Sequence, residues 1–260
     1  MVELKKIATE QRNPNTMNID SLPTLEMVKL INQEDHHVAE AVALVTDKIA
    51  EAIDVIAERM SKGGRLIYCG AGTSGRLGIL DAVECPPTYS TDPEMVQALM
   101  AGGYPAIFKA VEGAEDSKEL GAPTVSVTCC PGSVLDNFAD IGIAPCPGPE
   151  VITGSTRMKS GTAQKMVLNM LSTGTMIKLG KVYGNLMVAV KPSNEKLVRR
   201  CVTIVCNATE CDDATATAAL EACGYRPKTA IVMILCGVGA EEAKEMLAQA
   251  DGRVAKVLEK

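Results

Sequence analysis

The chain has 260 residues, of which 47% are hydrophobic and 22% are charged, proportions that are typical of a soluble globular protein with a full core. A net charge of -6 argues against a general nucleic-acid surface, because binding to a phosphate backbone requires concentrated Lys and Arg. The N-terminal stretch is polar and the longest apolar runs are too short to cross a bilayer, so we expect a cytoplasmic protein without a membrane partner.

Ten cysteines and two histidines limit the possible metal and nucleophile chemistry. The cysteines lie mostly in apolar segments, and no pair has the C-x-x-C spacing of a structural zinc site. His36 and His37 are adjacent in an acidic stretch, which is typical of a solvated surface and not of a Ser-His-Asp triad. We therefore expect reduced thiols and no metal.

The first elements along the chain are predicted to be helices. Apolar positions at helical spacing predict helices over residues 24–32 and 38–60, with a break near Asp35. A glycine pair ends the second helix. The short apolar run RLIYC, residues 65–69, then predicts a buried strand.

The sequence GAGTSG follows this strand and opens the next helix. Gly70, Gly72 and Gly75 let the backbone turn tightly beside an anion, where the helix N-terminus adds about half a positive charge. The motif also satisfies G-x-G-x-x-G, so phosphate binding, dinucleotide binding and a structural turn all remain open. The adjacent hydroxyls of Thr73 and Ser74 favour a phosphate monoester. A Rossmann fold would need its second strand where CPPTYSTDPEM stands, and this stretch cannot form a buried strand.

Two acidic features qualify for acid–base chemistry. Glu84 is predicted at the end of the helix that the glycine loop opens, because Pro86 and Pro87 would stop that helix. The negative end of a helix dipole favours a protonated carboxyl group, the form that a general acid needs. The alternative is an ordinary exposed Glu.

A second acidic cluster is most simply interpreted as a solvated helix face. The spacing of its members does not indicate which of them could act as a base: Glu112, Glu115, Asp116 and Glu119.

Two further strands are predicted, over residues 124–129 and 141–144, so that strands and helices alternate as in a parallel α/β sheet. The segment GPEVITGSTRMKSGTAQK then opens a long helix over residues 161–179. Its polar residues exceed what capping requires, so we predict that it binds an anion at the helix N-terminus. Those residues are Ser155, Thr156, Arg157, Lys159, Ser160 and Thr162.

Short helices follow from Asn194 onward. Asn194 is a predicted N-cap, Asp212 or Asp213 starts the next helix, and Gly224 follows its end. Three more helices are predicted over residues 228–235, 241–249 and 253–259. We predict a first domain over residues 1–192 and a small helical domain over 193–260.

Taken together, these strings resemble the N-acetylmuramic acid 6-phosphate etherases, whose sugar-isomerase-type fold is shared by the glucokinase regulatory proteins. The matching strings are LIYCGAGTSGRLGILDAVECPPTY, AVEGAEDS, GPEVITGSTRMKSGTAQKMVLNMLSTGTMI, KVYGNLMV and NEKL. The resemblance implies an α/β domain that binds a sugar phosphate at the C-terminal ends of its strands, usually in a homodimer. It also implies cleavage of a D-lactyl ether in the recycling of cell-wall sugars. In that reaction the C2 proton is abstracted, lactate is lost and water is added, without a metal or an organic cofactor.

The same motifs imply site residues. The glutamate of ECPP is Glu84, which would protonate the departing lactate, and the second glutamate of VEGAED is Glu115, its acid–base partner. Gly72, Thr73 and Ser74 would contact the sugar phosphate. The remaining lining residues would be Glu150, Ser155, Thr156, Arg157 and Lys159.

The sequence departs from the family pattern near Gly121. The family has a further strand–loop–helix unit there, whereas here the acidic segment runs directly into the next strand. A parallel crossover needs a dozen or more residues, so about three dozen are absent. We expect the sheet to lose a strand and the phosphate site to lose a loop. Smaller departures are Val83, where the family usually has Ser, and Ala189, where it usually has Asp.

Three other classes compete with the etherase. A phosphosugar-binding regulator without chemistry would share the fold, but Glu84 together with Glu115 favours an enzyme. A phosphosugar isomerase commonly needs a His, and neither histidine lies near a motif. A dinucleotide enzyme is disfavoured by the missing second strand.

Overall fold

A computed structural model of the chain describes residues 7–109, 124–192 and 194–259. The chain divides into two compact units, each assembled from three stretches. The first contains Met1–Val55, Ile67–Asp81 and Ala98–Ser172, and the second contains Ile56–Leu66, Ala82–Gln97 and Thr173–Lys260.

The described helices are α1 (Thr24–Ala43), α2 (Thr46–Ser61), α3 (Gly72–Tyr89), α4 (Gly103–Phe108), α5 (Val134–Phe138), α6 (Lys159–Lys178), α7 (Glu195–Thr209), α8 (Asp213–Ala222), α9 (Pro227–Cys236), α10 (Ala240–Gln249) and α11 (Val254–Leu258). The described strands are β1 (Leu66–Gly70), β2 (Val96–Met100), β3 (Val125–Val127) and β4 (Ile141–Ile143). No helix in these stretches is long and apolar enough to cross a membrane. All ten cysteines are free thiols.

Helix α1 passes through Asp35 without interruption, so the predicted break there is wrong. The two N-terminal helices separate at residues 44–45 instead. The buried face of α1 carries Glu34 and Val38 at helical spacing, followed by Ala41 and Val42. The charged residue Glu34 lies on this buried face and interrupts its apolar pattern. The pattern therefore predicted that the helix ends before Asp35, although it continues to Ala43.

The predicted strands β1, β3 and β4 are confirmed. Strands β3 and β4 pair in parallel, with Val125 opposite Ile141 and Val127 opposite Ile143. The α/β class is therefore correct, but the described strands form two two-stranded sheets and not a single sheet.

Strand β2 was not predicted, and it pairs with β1. The N–H of Leu66 donates to the carbonyl of Met95 at one end, and the N–H of Ala101 donates to the carbonyl of Gly70 at the other. The two strands therefore run in the same direction. The stretch CPPTYSTDPEM forms no strand, as expected, but the strand begins immediately after it at Val96.

Helix α3 continues through Pro86 and Pro87 to Tyr89, so the prediction that the prolines stop it is wrong. Proline's fixed φ is compatible with a helix, although the ring removes one backbone N–H donor and crowds the carbonyl four residues earlier. The N–H of Ser90 donates to the carbonyl of Pro86 over 2.9 Å, which extends helical bonding past both rings. Glu84 consequently lies more than one turn before the end of the helix.

A buried carboxylate ties together three elements of the first unit. The hydroxyl of Tyr68 on β1 donates to Asp81 on α3 over 2.7 Å, and the hydroxyl of Ser172 on α6 donates to the same carboxylate over 3.0 Å. Burial raises the pKa of Asp81, and the two hydrogen bonds oppose that shift. This tether fixes the strand and both helices that border the glycine loop.

The C-terminal helices of the second unit are confirmed, together with their caps. The side chain of Asn194 accepts from the N–H of Leu197, and that of Asp212 accepts from the N–H of Thr215. Gly224 follows α8 with a φ of +68°. Helices α7 to α11 enclose a cluster of fully buried apolar side chains that includes Val205, Leu220 and Ile231. The boundary at residue 192 stays a prediction.

Candidate functional site

The glycine loop joins the end of β1 to the start of α3. Gly72 is the first residue of α3 and has a φ of +52°. The first intrahelical bond runs from the N–H of Gly75 to the carbonyl of Ala71 over 3.0 Å. The amides of Gly72, Thr73 and Ser74 therefore make up the open first turn. Such a turn carries partial positive charge and binds anions, which is the chemistry predicted for this motif.

Two glycines of the motif are required by a close backbone contact. A Cβ atom on Gly75 would lie 2.6 Å from the carbonyl oxygen of Gly70, and a Cβ on Gly70 would lie 2.8 Å from the nitrogen of Gly75. Real side chains do not approach a backbone so closely. The turn between strand and helix thus depends on the absence of both side chains.

Substitution of Gly75 by Ala is expected to lower the free energy of unfolding by about 1–3 kcal/mol, because the new methyl group displaces rigid backbone. Urea denaturation measures this difference. Gly161→Ala is the matched control, since its Cβ would meet Thr73 and Thr156 only at 3.4 and 3.5 Å. Ala is a better helix former than Gly, so the control is expected to be neutral or up to about 1 kcal/mol more stable. Equal losses in both variants would contradict the contact.

The structure brings this loop next to the first turns of α6 within the same unit. The hydroxyl of Ser74 donates to Oε1 of Gln164 over 3.0 Å. The methyl group of Thr73 also lies close to α6, because a Cβ atom on Gly161 would be only 3.4 Å from it. Two segments that are 90 residues apart in the sequence therefore border one region.

The N-terminus of α6 already holds a protein carboxylate. Glu150 is fully buried and accepts the N–H groups of Lys159 and Ser160, each over 2.9 Å, and the hydroxyl of Ser160 over 2.7 Å. A carboxylate of the chain itself thus accepts the N–H groups of Lys159 and Ser160, and the binding of a ligand anion by this segment stays a prediction. A carboxylate with three donors positions the helix and its preceding loop.

The side chain of Lys159 is also bound within the protein. Its side chain is 2% exposed, and its Nζ donates to Glu34 over 2.8 Å. Asn13 and Asn15 also donate to Glu34, over 2.6 and 2.8 Å. Burial raises the pKa of Glu34, but the hydrogen bonds from Lys159, Asn15 and Asn13 outweigh it and lower the pKa to about 2. Sequence analysis missed Glu34, and its only signal was a Glu on the apolar face of α1.

Other predicted residues in the first unit keep accessible side chains. Ser155 is half-buried, and Thr156 and Arg157 are exposed just before α6. They stay predicted ligand contacts. Glu115 lies outside the described residues, as do Glu112, Asp116 and Glu119.

Glu84 belongs to the second unit, where it lines a cavity of about 620 Å³. Its side chain is exposed. Prolines and hydroxyl groups from the end of α3 and the loop after it form one part of the lining, and apolar and basic side chains from residues 187–200 form the other. The full lining is Glu84, Pro86, Pro87, Thr88, Ser90, Thr91, Met187, Lys191, Leu197 and Arg200.

The two cations of this cavity, Lys191 and Arg200, were missed by sequence analysis. They flank the predicted cap Asn194 and belong to no motif that spacing alone could reveal. No group of three or more His, Cys, Asp or Glu side chains in the described stretches is arranged to hold a metal ion.

Comparison with known proteins adds independent information. A family model for the N-terminal SIS domain of glucokinase regulatory protein matches residues 48–146. The N-acetylmuramic acid 6-phosphate etherase of Clostridium beijerinckii is 51% identical, over 99% of this chain and 97% of its own. The proteins of that name from Klebsiella aerogenes and, numbered 1, from Enterococcus faecalis are 48% and 50% identical, each over 99% of this chain and 98% of its own.

The alignment with the Clostridium beijerinckii protein extends over 296 positions, whereas the chain has 260 residues. At least 36 aligned positions, the difference of the two, therefore have no residue in this chain. This number agrees with the size of the unit that the sequence pattern indicates to be absent near Gly121.

Proposed function

This chain belongs to the N-acetylmuramic acid 6-phosphate etherase family, and we propose that it cleaves the D-lactyl ether of N-acetylmuramic acid 6-phosphate. The products are N-acetylglucosamine 6-phosphate and D-lactate, which places the protein in the metabolism of cell-wall sugars. The observation that carries the proposal is identity of about half over nearly the whole of both chains with relatives of that name. The match to the regulatory protein is limited to residues 48–146 and so concerns the fold.

The proposed chemistry is elimination followed by hydration. A base removes the proton from C2, the bond between C3 and the ether oxygen breaks, and an acid protonates that oxygen as lactate leaves. Water then adds to the resulting double bond, with its oxygen on C3 and a proton on C2. The net reaction consumes one water and needs no oxidant or reductant.

Glu84 is the proposed acid and Glu115 the proposed partner that handles the C2 proton. Support for Glu84 comes from its exposed carboxyl group and from the cavity that it lines, which has room for a ligand. General acid catalysis requires the acid within hydrogen-bond reach of the leaving oxygen. The role of Glu115 rests on its motif alone.

The phosphate is proposed to bind at the open first turn of α3, through the amides of Gly72, Thr73 and Ser74 and the hydroxyls of the last two. Ser155, Thr156 and Arg157 are proposed to contribute from the segment before α6. Glu150 and Lys159 are proposed to act by positioning that segment, since their polar atoms are already bound within the protein. We further propose that the protein is cytoplasmic and acts as a homodimer.

Isotope labelling tests the reaction class. In water enriched in ¹⁸O, the elimination mechanism places the label at C3 of N-acetylglucosamine 6-phosphate and leaves the lactate unlabelled. In D₂O, the same mechanism places deuterium at C2. Label in the lactate, with none in the sugar, would show that the bond to the lactyl carbon breaks and would overturn the elimination.

A further inference from the structure

Within the first unit, helices α3 and α6 run side by side in the same direction. The hydroxyl of Ser74 near the start of α3 donates to Gln164 near the start of α6 over 3.0 Å. Farther along both helices, the hydroxyl of Ser172 on α6 donates to Asp81 on α3, also over 3.0 Å. Because the residue numbers rise together along the two helices, their N-termini lie at the same end.

The two N-termini differ in what their amide groups bind. In α6 the N–H groups of Lys159 and Ser160 donate to Glu150 over 2.9 Å. The next two, of Gly161 and Thr162, donate over 2.9 Å to carbonyl groups of the loop before the helix. The first four N–H groups of α6 are therefore satisfied by the protein, whereas the N–H groups in the open turn of α3 have no acceptor in the described part of the chain. An anion at this end of the helix pair thus binds to the amides of α3, and α6 contributes side chains.

Gln164 reaches the glycine loop with its side chain. Its Oε1 accepts the hydroxyl proton of Ser74, and among the described residues its amide N–H groups have no acceptor. A serine hydroxyl has a single proton to donate, and here that proton is bound to Gln164. It becomes available to a phosphate oxygen when the amide of Gln164 turns over, because the amide N–H groups then donate to the serine oxygen instead.

We propose that Gln164 is a positioning residue of the phosphate site, which directs the hydroxyl proton of Ser74 toward the bound phosphate. This inference rests on the proposed function, in which the phosphate binds at the first turn of α3. In the free protein the amide oxygen of Gln164 accepts the proton. When the phosphate binds, the amide turns over and the hydroxyl donates to the phosphate, in a charge-assisted hydrogen bond about twice as strong as a neutral one. All the protein groups involved belong to the first unit.

The test is a double-mutant cycle on the affinity for N-acetylglucosamine 6-phosphate, measured by calorimetry. Gln164→Met keeps the length of the side chain without its hydrogen bonds, and it is expected to weaken binding about 2- to 10-fold, the usual effect of one neutral hydrogen bond. Ser74→Ala removes a hydrogen bond to a charged group and is expected to weaken binding about 10- to 100-fold. The loss in the double variant should equal that of Ser74→Ala alone, because Gln164 acts only through that hydroxyl.

A change of charge at the same position gives a second readout. The carboxylate in Gln164→Glu accepts hydrogen bonds but cannot donate them, so it retains the proton of Ser74 and adds a negative charge beside the phosphate. This variant is expected to weaken binding about 10- to 100-fold, more than Gln164→Met does. Gln33→Glu adds the same charge at an exposed position of α1 in the first unit, and it is expected to leave the affinity unchanged.

Three results would overturn the inference: losses that add in the double variant; an unchanged affinity in Gln164→Glu; or no binding of N-acetylglucosamine 6-phosphate by the unmutated chain. Lactate release from N-acetylmuramic acid 6-phosphate is measured separately. If no lactate is released but the two losses are coupled, the role of Gln164 stands and the proposed reaction fails. If lactate is released and the losses add, only the inference fails.

Discussion

Replacing Glu84 by Gln is expected to reduce D-lactate release by at least about 100-fold. An amide keeps the shape of the carboxyl group but cannot deliver a proton to the departing oxygen, and general acid catalysis contributes typically 10²- to 10⁴-fold. The measurement is the rate of D-lactate formation at saturating N-acetylmuramic acid 6-phosphate. The loss should fall on kcat, because the proton is transferred only as the bond breaks.

The fold should survive this substitution. Glu84 is exposed and has no hydrogen bond or ion pair in the described structure, and such surface changes alter stability by no more than about 0.5 kcal/mol. Glu221→Gln, an exposed substitution on α8 in the same unit, is the matched control and should retain full activity. Undiminished turnover in the Glu84 variant would remove this residue from the mechanism.

The second large effect concerns stability. Glu34→Gln is expected to lower the free energy of unfolding by about 3–5 kcal/mol, because it leaves the charge of Lys159 buried and unpaired. Equilibrium urea denaturation at pH 7 measures the difference. Replacing both partners, as Glu34→Gln with Lys159→Met, should recover part of the loss, since the isolated charge is then removed.

An exposed ion pair is the control for this effect. Lys48 and Glu51 on α2 pair over 2.8 Å with side chains about half exposed, so Glu51→Gln should cost at most about 1 kcal/mol. Similar losses for the buried and exposed pairs would contradict the claim that Lys159 depends on Glu34.

The buried pair also predicts a pH dependence. The folded-state pKa of Glu34, about 2, lies below its ordinary value of 4.5. Its stabilising contribution is therefore fully present above pH 4.5 and is lost as the pH falls toward 2. The difference in stability between the unmutated chain and Glu34→Gln should accordingly shrink as the pH is lowered below 4.5. A difference that is constant over this range would contradict the pKa shift.

Signals confined to a few neighbouring residues were sufficient to predict most elements. Strand β1 lies between glycines, and α7 and α8 start at side chains, Asn194 and Asp212, that cap them as expected. Two of the wrong predictions concern positions where the usual signal has an exception. Two prolines are tolerated in α3, and the charged residue Glu34 interrupts the apolar face of α1 without ending it.

The site was predictable only as far as its motifs extend. The glycine loop could be predicted from its own few residues. Its contact with α6, between Ser74 and Gln164, could not be predicted, because the two residues are 90 positions apart in the sequence. The contacts that Glu150 and Lys159 make within the protein could not be predicted for the same reason. Lys159 pairs with a residue 125 positions away, so its burial depends on tertiary packing and is invisible in the segment itself. The positions of Lys191 and Arg200 beside Glu84 could not be predicted either, because only the folded structure brings the three residues to one cavity.

The most direct test of the central claim is D-lactate release from N-acetylmuramic acid 6-phosphate by the purified 260-residue chain. The Clostridium beijerinckii etherase, 51% identical, is the positive control under the same conditions. The family assignment predicts equimolar D-lactate and N-acetylglucosamine 6-phosphate, with release lost in Glu84→Gln. If the positive control releases lactate and this chain releases none, the proposal that it is an etherase is contradicted.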